Sequence, residues 1–270
     1  MPSLRSYLEA GRSHALDTAE SFDPRAPLAK RVEAFRTYCL ALKMVAYGRL
    51  LCESNVPAFF SNLYRVARNG KRLLETVRDE SEGQLRIPAS ANDWLLSAIV
   101  TDFGLAREIA ALSARELTPP EYDDEFYAAS FLQVYLCSPA VSGVPAPELE
   151  DICRKMDEYL EGETSRTRVY RAMLHRDWSE FTTAFASLNE EVASELDEAA
   201  ALPGATYSMG ITQHFWLEGL ALLKLAESEG LRLGPARRRK VPLLVLDGRP
   251  DVASIEPLLL GLSAVQRGAL

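Results

Sequence analysis

The sequence has few of the residues and motifs on which most enzyme active sites depend. Three of its 270 residues are histidine, and no two of them stand at metal-ligand spacing: His14, His175 and His214. There is no HExxH or GxSxG motif and no glycine-rich loop of the Walker or Rossmann type. Nucleophilic catalysis would need a cysteine and a histidine that meet only in the folded chain. We therefore expect no catalytic residues, no metal and no cofactor, and a protein that is not an enzyme.

Cysteine is scarce as well, and its spacing excludes the common cysteine-rich sites. The four cysteines form no CxxC pair, and each lies in or beside an apolar segment: Cys39, Cys52, Cys137 and Cys153. A zinc site would need closer spacing or neighbouring histidines. Buried, reduced thiols are therefore the expected state.

Long hydrophobic runs are also missing. No stretch approaches the roughly 18 apolar residues of a membrane span. Residues 1–17 are too polar for a secretory signal peptide. These features predict a cytoplasmic protein that has no membrane partner.

Positive charge is in deficit. The chain has 30 lysine and arginine residues against 38 aspartate and glutamate residues, which gives a net charge of −8. Such a surface repels nucleic acid phosphates and suits a basic protein partner, although it also serves solubility alone. We expect no nucleic acid partner.

Apolar residues spaced three or four positions apart are abundant, and this period predicts α-helices. The strongest segments cover residues 28–54, 94–100, 103–112, 121–136, 148–160, 166–174, 178–196 and 214–230. The first of these is either one long helix or a helix kinked near Gly48. Asn55 and Pro57 predict the start of a further helix, and Asp102 and Asp177 lie at hinges between helices. No strands alternate with the helices, so a parallel α/β sheet is not expected.

The predicted fold is all-α, an irregular bundle of about ten helices packed as hairpins. We expect a single helical domain over residues 1–270, with residues 237–270 forming a C-terminal tail packed on it. Residues 241–246 are β-prone and predict either a short β-hairpin or an extended segment near the C-terminus. The basic residues 237–240 are expected to tie this tail to acidic helix ends.

The main candidate for a binding surface is an acidic cluster at the start of a predicted helix. It consists of Glu121, Tyr122, Asp123, Asp124 and Glu125. Carboxylates in this position favour the helix dipole, so the cluster could be no more than a solvated helix start. The alternative is an acidic patch that binds a cationic protein surface, with Tyr122 as an aromatic anchor. A second cluster, from Glu190 to Glu198, is expected to coat the outer face of a helix.

Four further residues are expected to anchor the structure. Trp94, Trp178 and Trp216 each lie near a predicted helix start, where large aromatic side chains usually fill helix crossings. Glu218 follows Trp216 in an apolar sequence. If its carboxylate is buried, it needs a partner such as an arginine or a backbone donor.

Residues 171–230 resemble the immunity protein 49 family of bacterial polymorphic toxin systems. The likeness lies in residues 172–174, in the Asp177–Trp178 hinge with Phe181 and Phe185, and in residues 216–226 followed by Gly230. The Trp94 helix and its Asp102 hinge fit the same pattern more loosely. The resemblance implies a nearly all-helical protein that neutralises a toxin encoded beside it and has no catalytic residues.

The favoured function is therefore a cytoplasmic immunity protein. It would bind a cognate toxin, such as a nuclease delivered by a type VI or contact-dependent system, and occlude the toxin's active site. One alternative is a helical-repeat-like adaptor or chaperone that binds a protein partner in a concave groove. The other is an enzyme with a helical pocket for an apolar ligand.

Overall fold

The computed structural model describes residues 3–81, 85–119, 121–138, 147–201, 213–232, 238–246 and 250–262, and the single residues 211, 248, 268 and 270. Within these ranges the chain forms ten α-helices, two short 3-10 turns and no strand. The predicted all-α fold is confirmed.

The helices, numbered in chain order, are α1 (Leu4–Ser21), α2 (Leu28–Glu53), α3 (Val56–Glu80), α4 (Asp93–Thr101), α5 (Phe103–Leu112), α6 (Asp123–Cys137), α7 (Pro147–Tyr159), α8 (Ser165–His175), α9 (Trp178–Ala201) and α10 (Leu217–Ser228). Neighbours along the chain pack against each other, most extensively α1 with α2, α2 with α3, α3 with α4, α6 with α7 and α8 with α9. Helix α10 packs against α4, so the last of the described helices lies beside the fourth.

Local side-chain chemistry sets the helix starts that the sequence predicts. The Asn55 side chain accepts a hydrogen bond from the Ala58 main-chain N–H at 3.0 Å and caps α3. Asp102 separates α4 from α5, and its carboxylate accepts from the Gly104 N–H at 2.8 Å. Asp177 caps α9 in the same way, through a main-chain N–H of the first turn at 3.0 Å. Both predicted hinges are therefore helix caps.

Helix α10 is shorter than predicted and is buried on almost all sides. The sequence predicted one amphipathic helix over residues 214–230, whereas the helix extends over Leu217–Ser228. Trp216 precedes it in an extended conformation, and its main-chain N–H donates to the Lys240 carbonyl oxygen at 2.8 Å. Lys224 is 1% exposed, and its ammonium group donates to the main-chain oxygen of Leu246. The C-terminal residues thus cover a polar position of α10 that an amphipathic helix would expose to solvent.

The described residues from 238 onward form a tail of turns and irregular structure. Their one β-type pairing is an isolated antiparallel bridge between Arg238 and Val241, and 3-10 turns follow at Leu243–Val245 and Val252–Ser254. Pro242 has no N–H to donate to a strand ladder, which works against a hairpin at this position. Neither alternative is correct for residues 241–246: no strand forms there, and Leu243–Val245 is a 3-10 turn that Leu246 follows in a helical conformation.

Two glycines set the distance between α1 and α2. A Cβ atom added to Gly48 would lie 2.6 Å from the Leu8 Cβ atom, and one added to Gly11 would lie 2.9 Å from the Met44 Cβ atom. Both distances are too short for a real contact, so the two backbones approach where side chains are absent. Helix α2 runs through Gly48 without a break, and the long-helix alternative is correct.

We expect Gly48→Ala to lower the free energy of unfolding by about 1–3 kcal/mol, because the added methyl group must push α1 away from α2. Urea denaturation followed by circular dichroism measures this. Gly104→Ala is the matched control, because Gly104 is exposed in α5, where alanine is favoured by up to about 1 kcal/mol. Equal effects of the two substitutions would show that the α1–α2 contact is not tight.

Candidate functional site

The predicted acidic cluster lies at the start of α6. Tyr122 occupies the N-cap position, and its side chain is 65% exposed. Asp123, Asp124 and Glu125 form the first helical turn, where their charges favour the positive end of the helix dipole. None of these three carboxylates makes an ion pair with a described residue. They are therefore free to attract a cationic partner.

Glu121 differs from its neighbours, because its carboxylate is used inside the protein. One oxygen accepts a hydrogen bond from the Ser90 main-chain N–H at 2.5 Å, and the other accepts from the Thr118 N–H at 3.0 Å. These bonds fasten the α5–α6 connection to the segment that precedes α4. We therefore assign a structural role to Glu121, and residues 122–125 remain as candidate binding residues.

The second acidic cluster divides between two sides of α9. Glu190 and Asp197 face the tail, where Arg239 pairs with both, at 2.9 and 2.5 Å, and Lys240 pairs with Asp197 at 2.5 Å. The basic residues were expected to tie the tail to acidic helix ends; Arg239 and Lys240 do tie it to acidic residues, but these lie within α9 and not at its end. Arg237 lies outside the described residues.

Glu191 and Glu195, one turn apart, are exposed on another side of α9. The Ser165 hydroxyl at the start of α8 donates to Glu191 at 2.6 Å, because α8 and α9 form an antiparallel hairpin. The exposed carboxylates of α9 therefore lie beside the start of α8.

Arg166, also at the start of α8, pairs with Glu218 of α10 at 3.0 Å. Glu218 raises the pKa of the Arg166 guanidinium above its ordinary value, with smaller contributions from Tyr170, Glu195 and Asp124, while burial opposes the shift. The electrostatic influence of one residue from each acidic cluster therefore reaches Arg166, although its ion pair is with Glu218.

The Glu218 carboxylate accepts hydrogen bonds from two residues of α8. Arg166 donates to one carboxylate oxygen at 3.0 Å, and the Tyr170 hydroxyl donates to the other at 3.4 Å. Tyr170 is fully buried, and its ring stacks on that of Phe131 with centroids 4.0 Å apart. Burial, followed by the charge of Glu218, raises the pKa of the Tyr170 hydroxyl. Glu218 is only partly buried, with its side chain 18% exposed, and its partner is an arginine, one of the two kinds that the sequence suggested for a buried carboxylate.

The connection between α7 and α8 adds apolar surface to the same end of the bundle. Tyr159 is 47% exposed and Leu160 is 39% exposed. The pKa of Lys155 in α7 is raised mainly by Asp151 and to a smaller extent by Tyr127 of α6, which places the end of α7 near the start of α6. Sequence analysis missed Tyr159 and Leu160, although two apolar residues just before Gly162 at the end of a charged helix were a usable signal.

We call this surface the acidic end. It consists of Tyr122, Asp123, Asp124, Glu125, Tyr159, Leu160, Glu191 and Glu195. It combines unpaired carboxylates with exposed aromatic and apolar side chains, the composition that favours binding of a basic protein surface.

The three tryptophans make core contacts. Trp94 packs on Gly70, where a Cβ atom would lie 2.2 Å from the Trp94 Cβ atom. Trp216 stacks on Phe185 with ring centroids 5.4 Å apart. Trp178, partly buried at the first position of α9, meets Phe181 edge to face at 6.1 Å. These contacts fit the anchoring roles that the sequence suggested.

Cys39 and Cys153 are buried as expected, whereas Cys52 and Cys137 are exposed, so the expectation of buried thiols is wrong for these two. Burial raises the pKa of the Cys39 thiol, and it raises that of Cys153 to about 12, the opposite of what a nucleophilic thiolate needs. Across the same residues, no group of three or more histidine, cysteine or acidic side chains is placed to hold a metal ion. None of the described helices has the length and apolar character needed to cross a membrane.

Glu218→Gln should lower the free energy of unfolding by about 1–3 kcal/mol, because the amide leaves the mostly buried Arg166 guanidinium without its nearest counter-charge. Chemical denaturation at neutral pH measures the loss. Glu125→Gln makes the same chemical change at an exposed, unpaired carboxylate and should stay within about 0.5 kcal/mol of the parent. Similar values for both variants would contradict a stabilising role for the Arg166–Glu218 pair.

Comparison of the chain with protein-family models, with curated proteins and with solved structures finds no match.

Proposed function

We propose that the protein is an immunity protein of the immunity protein 49 type, which binds and neutralises a cognate bacterial toxin. The observation that carries this proposal is the acidic end itself. It combines three carboxylates at the start of α6 that make no ion pair with a described residue, exposed carboxylates of α9 and two exposed tyrosines. The resemblance of residues 171–230 to that family supplies the biological setting.

Charge complementarity gives the binding a physical basis. A nuclease toxin carries a basic active-site face because it must bind phosphate, and an acidic inhibitor is steered toward that face. Asp123, Asp124 and Glu125 can contribute without the loss of an internal ion pair, since they make none with described residues. Tyr122 and Tyr159 supply the aromatic contacts that usually dominate interface energies. Bound in this way, the protein would occlude the toxin's active site.

The same proposal specifies what the protein does not need. It requires no catalytic residue, cofactor or metal, and no contact with nucleic acid or membrane. It implies a cytoplasmic location, where the protein would bind the toxin on its entry.

Co-expression tests this function directly. The C-terminal domain of the toxin-like protein encoded by the neighbouring gene is induced with and without this protein, and the pair is isolated by affinity pull-down. Rescue of growth together with a stable complex supports immunity. Toxicity without rescue or binding contradicts it for that pair.

Neutralising the acidic end should slow association with the toxin. We expect the triple variant Asp123→Asn, Asp124→Asn, Glu125→Gln to reduce the association rate constant by about tenfold or more at low salt, with a smaller change in dissociation. Surface plasmon resonance at several salt concentrations measures both rates.

The control variant makes the same change in net charge elsewhere. Asp17→Asn, Glu20→Gln and Glu33→Gln alter three exposed carboxylates of α1 and α2 that make no ion pair with a described residue. This triple variant should leave association nearly unchanged. If both variants slow association equally, net charge and not the acidic end steers the partner.

A further inference from the structure

Positive charge is concentrated in the first three helices. Residues 3–81, which include α1, α2 and α3, contain 13 arginine and lysine residues against nine aspartate and glutamate residues, in a chain whose net charge is −8. This part of the protein can therefore attract an anion that the rest of the chain repels.

A cavity beside the end of α2 and the start of α3 is lined by side chains that donate hydrogen bonds. Its volume is about 180 Å³, and its polar lining consists of Arg49, Asn55, Ser61, Asn62 and Arg65. None of the described residues that line it is acidic. We call it the α2–α3 cavity. A lining that contains two guanidinium groups and no carboxylate favours an anionic ligand.

A larger cleft lies beside this cavity. Its volume is about 480 Å³, and Arg12, Ser13 and Leu16 of α1 line it together with Arg49 of α2. Arg49 and Gly268 border both spaces, so the two adjoin. We call it the α1–α2 cleft. Its volume is large enough for a small organic molecule.

The guanidinium groups of Arg12 and Arg49 are held in place and still have unused donors. Arg49 donates to Glu53 at 2.6 Å and to the main-chain oxygen of Leu270, and Arg12 donates to the same oxygen at 3.3 Å. The Nε–H groups of both arginines are buried and have no hydrogen-bond partner. A buried N–H without an acceptor is unfavourable, so an anion beside these side chains would improve their hydrogen bonding.

The arginines outnumber the carboxylates near them. Glu9, which pairs with Arg12 at 2.9 Å, is the one acidic side chain among the described residues that line either space. Glu53 lies outside both linings, and its pKa is lowered by the hydrogen bond with Arg49 and further by the charges of Arg12 and Arg5. The excess of positive charge favours a negatively charged ligand over a neutral one.

A phosphate group suits this arrangement better than a carboxylate. Arg12, Arg49 and Arg65 belong to three different helices, so their guanidinium groups can reach a ligand from more than one direction. Arg65 is 8% exposed and is oriented by bonds to the Asn62 side chain at 3.2 Å and to the Glu256 carbonyl oxygen at 3.0 Å. A carboxylate offers two oxygens in one plane, whereas a phosphate group offers three strong acceptors around a tetrahedral centre.

We propose that the α2–α3 cavity binds the phosphate group of a small organic molecule through Arg49 and Arg65, and that the rest of this molecule occupies the α1–α2 cleft beside Arg12. The site shares no residue with the acidic end, and the proposal does not depend on the immunity function.

Isothermal titration calorimetry with the full-length protein, in a buffer without phosphate or sulfate, tests this. The probe is ribose 5-phosphate, which should bind at one site with a dissociation constant below about 1 mM. Ribose, which lacks the phosphate group, should show no saturable binding. If ribose 5-phosphate does not bind at 10-fold higher concentration, or if ribose binds as well, the proposal is wrong.

Replacement of the shared arginine locates the bound phosphate. Arg49→Gln should weaken binding of ribose 5-phosphate by about tenfold or more, because a charged hydrogen-bond donor is lost. Arg36→Gln is the matched control, since it makes the same change at an exposed residue of α2 that forms no ion pair with a described residue. Equal affinities of the two variants would place the ligand elsewhere and overturn the proposal.

A second variant covers the case in which Arg49→Gln does not fold. Ser61→Asp adds a carboxylate to the lining of the cavity, four residues before Arg65, and should weaken binding by about tenfold or more through repulsion of the phosphate. Thr37→Asp adds the same charge at an exposed position of α2 and should leave binding nearly unchanged. A folded Ser61→Asp protein with the affinity of the parent would contradict the assignment.

Inorganic phosphate distinguishes a free anion from an organic ligand. It should bind at the same site but several-fold more weakly than ribose 5-phosphate, because it makes no contact in the α1–α2 cleft. Equal or tighter binding of inorganic phosphate would show that the cleft takes no part, and the organic ligand would be excluded.

Discussion

The buried main chain of the C-terminal tail imposes the constraint on which much of this structure depends. Each carbonyl group removed from water needs a donor, and an unpaired one costs about 1–3 kcal/mol. Because no strand among the described residues pairs with the tail, helix side chains provide the donors. This requirement accounts for the burial of two charged side chains, Lys224 at 1% exposure and Arg65 at 8% exposure. Burial lowers the pKa of Arg65, yet its guanidinium remains charged at neutral pH and stays bonded to the tail.

The helices could be predicted from sequence because their signals are local. Apolar spacing predicted α2 and α6–α9 to within a few residues, and Asn55, Asp102 and Asp177 act as helix caps through bonds that span three residues or fewer. The environment of α10 could not be predicted in this way. Residues of the tail and of α4 cover α10 in the folded protein. The local sequence pattern cannot show this, and it therefore predicted an amphipathic helix with one face exposed to solvent.

The residues of the candidate surface were predicted only in part, again because some of their contacts join residues that are far apart in sequence. The sequence placed four acidic residues together, but it could not show that Glu121 bonds to Ser90, more than thirty residues earlier. Nor could it show that Glu195 and Asp124 both contribute to the raised pKa of Arg166, because this depends on the packing of helices that are far apart in sequence. Glu218 illustrates the reverse case. A carboxylate in an apolar sequence must find a partner if it is buried, and this requirement anticipated an arginine or a backbone donor, although only the fold identifies it as Arg166.

Salt dependence separates the immunity function from the adaptor alternative, because charged and apolar surfaces recognise partners by different physics. Attraction between exposed charges is screened over about 8 Å at physiological ionic strength, so binding at the acidic end must weaken as salt is added. An adaptor groove that takes an apolar segment depends on buried apolar area, which added salt does not weaken. A partner whose association rate falls steeply with salt would therefore engage the acidic end, whereas a partner whose binding resists salt would favour the adaptor alternative.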